Sequence, residues 1–514
     1  MSPLVLPHMV SRPSPDTMSG LDVRLRRVLA LFLLSVSAWA GPLEGRVTDG
    51  QRGLPGVRIY PDRLHRVGPE ALAPWALTDV EGRFRLELEA SDTLLVVEKS
   101  GWQRDFVPLA ELQRPVVMRV APEFRVEKAL VVRVAFPDEG GRLSDDELRA
   151  LLFGRQPGRS SAANYVYEVS KGSLELEEGA ILHLEDLTHL PPRGDAQRDA
   201  ISEWVLTQLR GVDLKDFDRI DNRTGARKPD GKPDHLWIIA PGLARNATTD
   251  PAHLSASSFL LPLPWKRTRR WGVVFFAEET PLGNIVHELF HAMGEHRVDD
   301  LYLDCDRPMT AGIWDLMDAG QYRGWDRVPP KGGDWQSDVG YSPSHPGGWV
   351  RSELWYRGRF ATTVKTLKVG RDWTGWLEPL VRAPGALPQR LVVPDPRSKG
   401  CFWELNLRPA WGFDRGRIGD RWGPGFEGLV VAHIDPALLS EDEPRGPVRV
   451  VDAHPGTPDP EAPRLPCGRW ELDDAAFNLG QGEVSKGSDG PLSWEILAMD
   501  ERGRMQVRMR LRTR

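Results

Sequence analysis

Three nearly continuous apolar runs constrain this chain more than any other feature. Residues 129–136 (ALVVRVAF), 235–240 (HLWIIA) and 271–277 (WGVVFFA) are rich in β-branched and aromatic side chains and lack the alternation of a half-exposed strand. Such a strand is apolar on both faces, so its sheet needs cover above and below. Helical patterns between the runs offer that cover. Ser144-Asp145-Asp146-Glu147 is a capping signature ahead of a short helix over residues 147–153. Residues 196–209 place Ile201, Val205 and Leu209 on one helical face. Residues 124–349 are therefore expected to form a mixed α/β domain.

The flanks follow a different period. Residues 41–123 carry short β-rich segments at 45–47, 56–60, 82–88 and 94–99, separated by Asp-Gly, Gly-Leu-Pro-Gly and Glu-Gly turns. Phe84, Leu86 and Leu88 alternate with Arg83, Arg85 and Glu87, as in a strand buried on one face. The run GRVTDGQRGLPGVRIYPD, followed by ALTDVEGRFRLEL, resembles the carboxypeptidase regulatory-like domain, and that resemblance implies a small transthyretin-like β-sandwich without catalytic residues. Residues 350–514 return to β-rich segments, among them 428–434 (GLVVAHI) and 505–511, for which a C-terminal sandwich is the simplest expectation. The whole reads as a multidomain α+β protein. With 67 basic against 73 acidic residues, net charge −6, the chain shows no basic excess that would point to nucleic acid.

Residues 1–40 are expected to be a signal peptide. Basic residues at 24–27 precede an apolar run over 28–38, and Ala38-Trp39-Ala40 is a small-x-small cleavage site. The run falls short of the roughly 20 residues a membrane-spanning helix needs, and no later segment is apolar enough to span a bilayer. The expectation is a secreted, extracellular or periplasmic protein. Its three cysteines, Cys305, Cys401 and Cys467, permit one disulfide, with all three pairings open.

Chemistry concentrates in residues 280–302, TPLGNIVHELFHAMGEHRVDDLY. Thr280 and Pro281 read as a helix start, with a hydroxyl cap and proline in the first turn. Gly294 reads as its stop. At about 100° per residue, His291 lies about 40° and Glu288 about 100° round from His287, so the three share a face. Leu282, Val286, Leu289, Ala292 and Met293 form the rear, while Gly283 and Asn284 leave the site face small and polar. Two histidines at i and i+4 can reach one zinc ion, and the glutamate between them is then aimed at the water in the open position. Chance supplies only about 0.02 such patterns in a chain of this length. His287 and His291 are thus candidate zinc ligands and Glu288 the candidate general base.

The metzincin pattern His-Glu-x-x-His-x-x-Gly-x-x-His puts its third histidine at position 297, which is arginine here and cannot ligate. His296 and Asp300 are left as alternative third ligands, with Asp299 behind them. HELFHAMGEHRVDDLYL and the following GIWDLMDAG resemble the immune inhibitor A family of secreted zinc metallopeptidases. Residues 163–176 (ANYVYEVSKGSLEL) resemble that family's Tyr-x-x-Ser-x-Gly-x-Leu strand region, and 404–408 and 428–435 its C-terminal β portion. The resemblance implies a metzincin-like catalytic domain and a methionine turn at Met317. It also implies a zinc-activated water that attacks protein or peptide substrates. Residues 271–277 are the candidate sheet edge for pairing an extended substrate. An acidic loop with Asp221, Asp230 and Asp234 resembles the family's calcium loop, but Arg223, Arg227 and Lys228 oppose a cation, so a charged surface turn competes with calcium. Arg297 keeps a second reading open, a catalytically degenerate peptidase fold serving as an extracellular binding or structural module.

Overall fold

The computed structural model describes residues 41–63, 73–136, 141–184, 195–221, 227–231, 233–242, 256–263, 266–293, 300–301, 310–322, 342–354, 362–415, 426–438, 446–455 and 472–512. The expected signal peptide, Gly294, His296, Arg297, Asp299, Cys305 and Cys467 lie outside them. The fold is mixed α+β with many sheets and few helices, 19% helix and 36% strand. Among the described residues no helix is long and apolar enough to cross a membrane.

The N-terminal strands are β1 (Gly41–Thr48), β2 (Arg58–Pro61), β3 (Ala76–Leu77), β4 (Arg83–Leu88), β5 (Leu94–Glu98), β6 (Asp105–Pro108) and β7 (Val116–Val117). They form two sheets, ordered β4-β1-β7 and β3-β2-β5-β6. In β4 the burial alternates strictly, with Phe84, Leu86 and Leu88 inside. These pack with Leu43 and Val47 against Ile59, Leu95, Val97 and Val107 of the other sheet. Strand β5 is buried at every position, because its second face, with Tyr60 and Phe106, meets Val381 and Trp411 from the C-terminal third of the chain.

The central sheet contains β8 (Arg125–Val134), β9 (Leu174–Leu184), β10 (His235–Ala240), β11 (Ser257–Leu263) and β12 (Lys266–Ala277), ordered β11-β12-β10-β8-β9. Strands β9, β8, β10 and β12 are parallel, and β11 runs antiparallel to β12. The apolar runs occupy β8, β10 and β12, covered on both faces as their composition requires. Helix α1 (Asp145–Phe153) and helix α2 (Ala162–Val169) lie on one side, where Val131, Trp237, Ile239 and Phe276 face Leu148, Leu152 and Val166. Helix α3 (Asp195–Gln208) lies on the other, with Ile201 and Val205 against Leu130, Val132 and Ile238.

Three local expectations are corrected. Helix α1 starts at Asp145, not Glu147, because Ser144 and Glu147 close a reciprocal capping box. Residues 163–176 are not one strand region: Ser161 Oγ accepts a hydrogen bond from Asn164 N at 3.1 Å and starts α2. Positive φ at Lys171 and Gly172 ends that helix before β9 begins at Leu174. Finally, β12 is interior, paired on one side with β10 and on the other with β11, so the sheet edge is β11. An antiparallel partner from the preceding segment takes the hydrogen-bonding positions that a substrate would need.

After α4 (Leu282–Met293) and α5 (Gly348–Leu354) the chain builds two more sheets. Their strands are β13 (Val364–Thr366), β14 (Trp373–Leu377), β15 (Arg390–Pro394), β16 (Phe402–Arg408), β17 (Gly428–Ile434), β18 (Val448–Val450), β19 (Lys486–Asp489), β20 (Leu492–Met499) and β21 (Met505–Leu511). The orders are β13-β15-β16-β17-β18 and β14-β21-β20-β19. Leu391, Trp403, Leu405 and Val431 of the first sheet pack against Trp494, Ile496, Val507 and Met509 of the second. Alternate residues of the same strands, Val430, Ala432 and Val450, join the core around α4 instead. The first sheet therefore serves two cores.

Candidate metal centre

Helix α4 follows β12 directly. Asn284 N and Ile285 N donate to Pro281 O at 3.1 and 3.2 Å and carry the first turn. The expected hydroxyl cap is absent: Thr280 Oγ1 is buried and makes no hydrogen bond. Leu282, Val286, Leu289 and Met293 are buried as expected, but so are Gly283, Asn284, Ile285 and Phe290, so no open polar face exists. The helix is enclosed because the turn at residues 311–322 and α2 cover its other flanks. Phe290, for example, meets Tyr165 of α2 edge-on at 5.9 Å between ring centres. Glu288 and Ala292 alone in α4 are half-buried.

One turn apart, the rings of His287 and His291 stand nearly perpendicular, 4.7 Å between centres and 85° between planes. Asp300 joins them. Its Oδ1 lies 2.8 Å from His287 Nε2 and 2.9 Å from His291 Nε2, and the two nitrogens are 3.1 Å apart. Among the described residues this is the one group of three or more His, Cys, Asp or Glu side chains whose donor atoms converge within 4.8 Å. Donors bound at about 2.0–2.1 Å round a tetrahedral ion sit roughly 3.3 Å apart. The observed triangle is a few tenths of an ångström tighter, and its two imidazole nitrogens and one carboxylate oxygen are a donor set that suits zinc.

The turn at residues 314–318 orients this triangle from behind. His287 Nδ1 is 3.1 Å from Leu316 O. A carbonyl only accepts, so Nδ1 carries a proton, and Nε2, which faces Asp300 and His291, is the nitrogen that would bind a metal. The next residue, Met317, is fully buried in the core that includes α4, and its carbonyl accepts from Leu301 N at 2.8 Å, next to Asp300. Asp315, Asp318 and the end of the turn at Tyr322 had no role in the sequence reading. The signal was there: two carboxylates flank Leu316-Met317 inside an apolar stretch.

Charge in the cluster is strongly coupled. Burial works against a charged His287, but the hydrogen bond and charge of Asp300 prevail and raise it to about 9. Burial likewise works against the Asp300 carboxylate, yet the two histidines hold it well below the usual range. Burial and the charges of Asp300 and Glu288 push the Tyr322 phenol far up.

The other expected site residues do not gather here. Asp234 Oδ1 accepts from Arg219 N and Ile220 N at 3.0 and 3.1 Å, and burial pushes its carboxyl up to about 7. Asp218 accepts from Asp230 N and Gly231 N, and Lys228 pairs with Asp221 at 3.3 Å. Asp221, Asp230 and Asp234 form no convergent donor group among the described residues. Cys401 is buried and free. No family model and no curated protein matches the chain.

Proposed function

We propose that this chain is a secreted zinc endopeptidase in which His287, His291 and Asp300 hold the metal and Glu288 is the general base. The observation that carries the reading is the donor triangle, two imidazole nitrogens and one carboxylate oxygen within 3.1 Å of one another, with Glu288 adjacent to His287 on the same helix. Zinc held by these three donors would supply a Lewis acid and make water acidic enough to be deprotonated near neutral pH. Glu288 accepts the proton of the attacking water and passes it to the departing amine. Leu316 O holds a proton on His287 Nδ1, so that Nε2 is the nitrogen offered to the metal. Asp300 fills the third position that Arg297 leaves vacant in the metzincin pattern, which supports an immune inhibitor A-like catalytic domain over residues 124–349. Residues 41–123 are read as its transthyretin-like companion and residues 350–514 as its β-rich C-terminal domain. Among the described residues neither brings a side chain to the donor cluster. The backbone amides held by Asp218 and Asp234 favour a charged turn over a calcium site in the acidic loop.

Glu288→Gln is the test. It is expected to keep stoichiometric zinc while cleavage of casein falls by at least about 100-fold, the scale of general-base catalysis. Parental cleavage by that variant removes Glu288 from the role. Zinc binding without any cleavage by the parent selects the non-catalytic binding module instead. N-terminal sequencing of exported protein beginning at Gly41 tests residues 1–40 as a signal peptide.

A further inference from the structure

One turn accepts hydrogen bonds from one donor residue and from the neighbour of another, and buried carboxylates hold that turn. Leu316 O receives His287 Nδ1, and Met317 O receives the backbone of Leu301, the neighbour of Asp300. Consecutive carbonyls thus set the ring of one ligand and the backbone of another. Asp315 braces both. Its Oδ1 accepts from Met317 N at 2.9 Å and its Oδ2 from Gly347 N at 2.7 Å, which ties the turn to the start of α5. Its own carbonyl accepts from Gly320 N at 2.9 Å. The approach is so close that a Cβ on Gly320 would lie 2.2 Å from that carbonyl, and one on Gly347 2.7 Å from Oδ2. Asp318, fully buried, clamps the other end by accepting from Ala311 N, Gly312 N and Ala319 N.

We infer that Asp315 is a positioning residue for the metal centre, acting through the Leu316 and Met317 carbonyls on His287 and Asp300 and touching neither ion nor substrate. The inference rests on the zinc reading above. A side chain that accepts from two backbone amides cannot be replaced by Asn without loss: one amide keeps an acceptor, and the other then faces a second N–H. Buried donors left unpaired make the turn shift until water or another acceptor serves them. Outer partners of this kind change metal affinity by about 10–100-fold.

The experiment compares Asp315→Asn with the parent and with Leu492→Ala, a core truncation in the distant four-stranded sheet. Three readouts are taken: competitive zinc affinity, the absorption spectrum of the cobalt-substituted protein, and the His287 Nδ1 resonance of metal-free, ¹⁵N-histidine-labelled protein. Asp315→Asn is expected to lose 10–100-fold in zinc affinity, to alter the cobalt bands and to shift the His287 Nδ1 signal. Leu492→Ala, though less heat-stable, leaves all three unchanged. Parental affinity, bands and resonance in Asp315→Asn overturn the inference. If the parent takes up no zinc, the metal reading fails by itself, and the metal-free resonance still decides whether Asp315 positions His287. Should Asp315→Asn not fold, Asp318→Asn loosens the same turn from its other anchor and is read identically.

Discussion

Replacing Arg104 by Met tests how the N-terminal strands are joined to the rest of the molecule. Arg104 precedes β6 and is 4% exposed; its Nε lies 3.2 Å from Glu98 and its Nη1 2.5 Å from Glu168 of α2, itself wholly buried. The Nη1 contact is an ion pair whose angle falls outside hydrogen-bond geometry. Without the guanidinium, Glu168 keeps His345 Nε2 at 2.9 Å and Phe413 N at 2.7 Å. Burial holds His345 below its ordinary value, so at neutral pH it donates as a neutral ring. Glu168, wholly buried, loses the Arg104 cation, a loss of about 3–5 kcal/mol. At about 2–4 °C per kcal/mol for folding units of 150–250 residues, the midpoint falls by roughly 6–20 °C. The sign with pH follows. Burial without a cation opposes the charged form of Glu168, so the penalty is present while the carboxylate is ionised and is relieved as it takes up a proton. The gap between variant and parent therefore narrows on acidification, and differential scanning calorimetry between pH 4.5 and 8 measures it. A variant within about 2 °C of the parent at pH 8, under 1 kcal/mol on the same scale, would refute the argument that this buried pair joins the N-terminal strands to α2.

Further outcomes follow from other groups. In the metal-free protein His287 is raised to about 9, so zinc must displace a proton at neutral pH. Titration calorimetry at pH 7 in buffers of different ionisation enthalpy is expected to show release of about one proton per zinc, and affinity that climbs until about pH 9; proton-neutral uptake contradicts the coupling to Asp300. Asp234, raised to about 7, contributes stability that is complete below the unfolded value near 3.9 and is lost as pH rises through 7. Asp234→Asn removes that loss, so its stability relative to the parent, read from the thermal midpoint, should improve from pH 5 to pH 8, by about 1.4 kcal/mol for each pKa unit recovered. A flat difference rules out the buried-acid account.

Sequence patterns carried the features that are local, and structure supplied those that are not. The three apolar runs were legible as doubly covered strands because apolar composition on both faces has few other uses. The His-Glu-x-x-His spacing was legible because a helical turn alone sets which side chains share a face. Where pairing between distant segments decides, the reading went astray. Tyr165, Val166 and Tyr167 favour a strand locally, yet the Ser161 cap and the turn at Lys171-Gly172 make them helix. Strand β12 looked like an edge until β11 folded back on it. The choice between His296 and Asp300 had no local signal, since the backbone beside Asp300 is held by a hydrogen bond from Leu301 to Met317 across the fold. Yet one signal for that bond was in the chain. Aspartates on both sides of Leu316-Met317 must be buried with the apolar residues they flank, at a cost that only satisfied hydrogen bonds offset. Burial raises Asp315 and Asp318 to about 7 and 6, and the amides they accept work in the opposite direction. Carboxylates inside an apolar turn therefore mark a backbone whose shape is being enforced. Here the enforced shape is the one that presents one carbonyl to His287 and the next to the backbone beside Asp300.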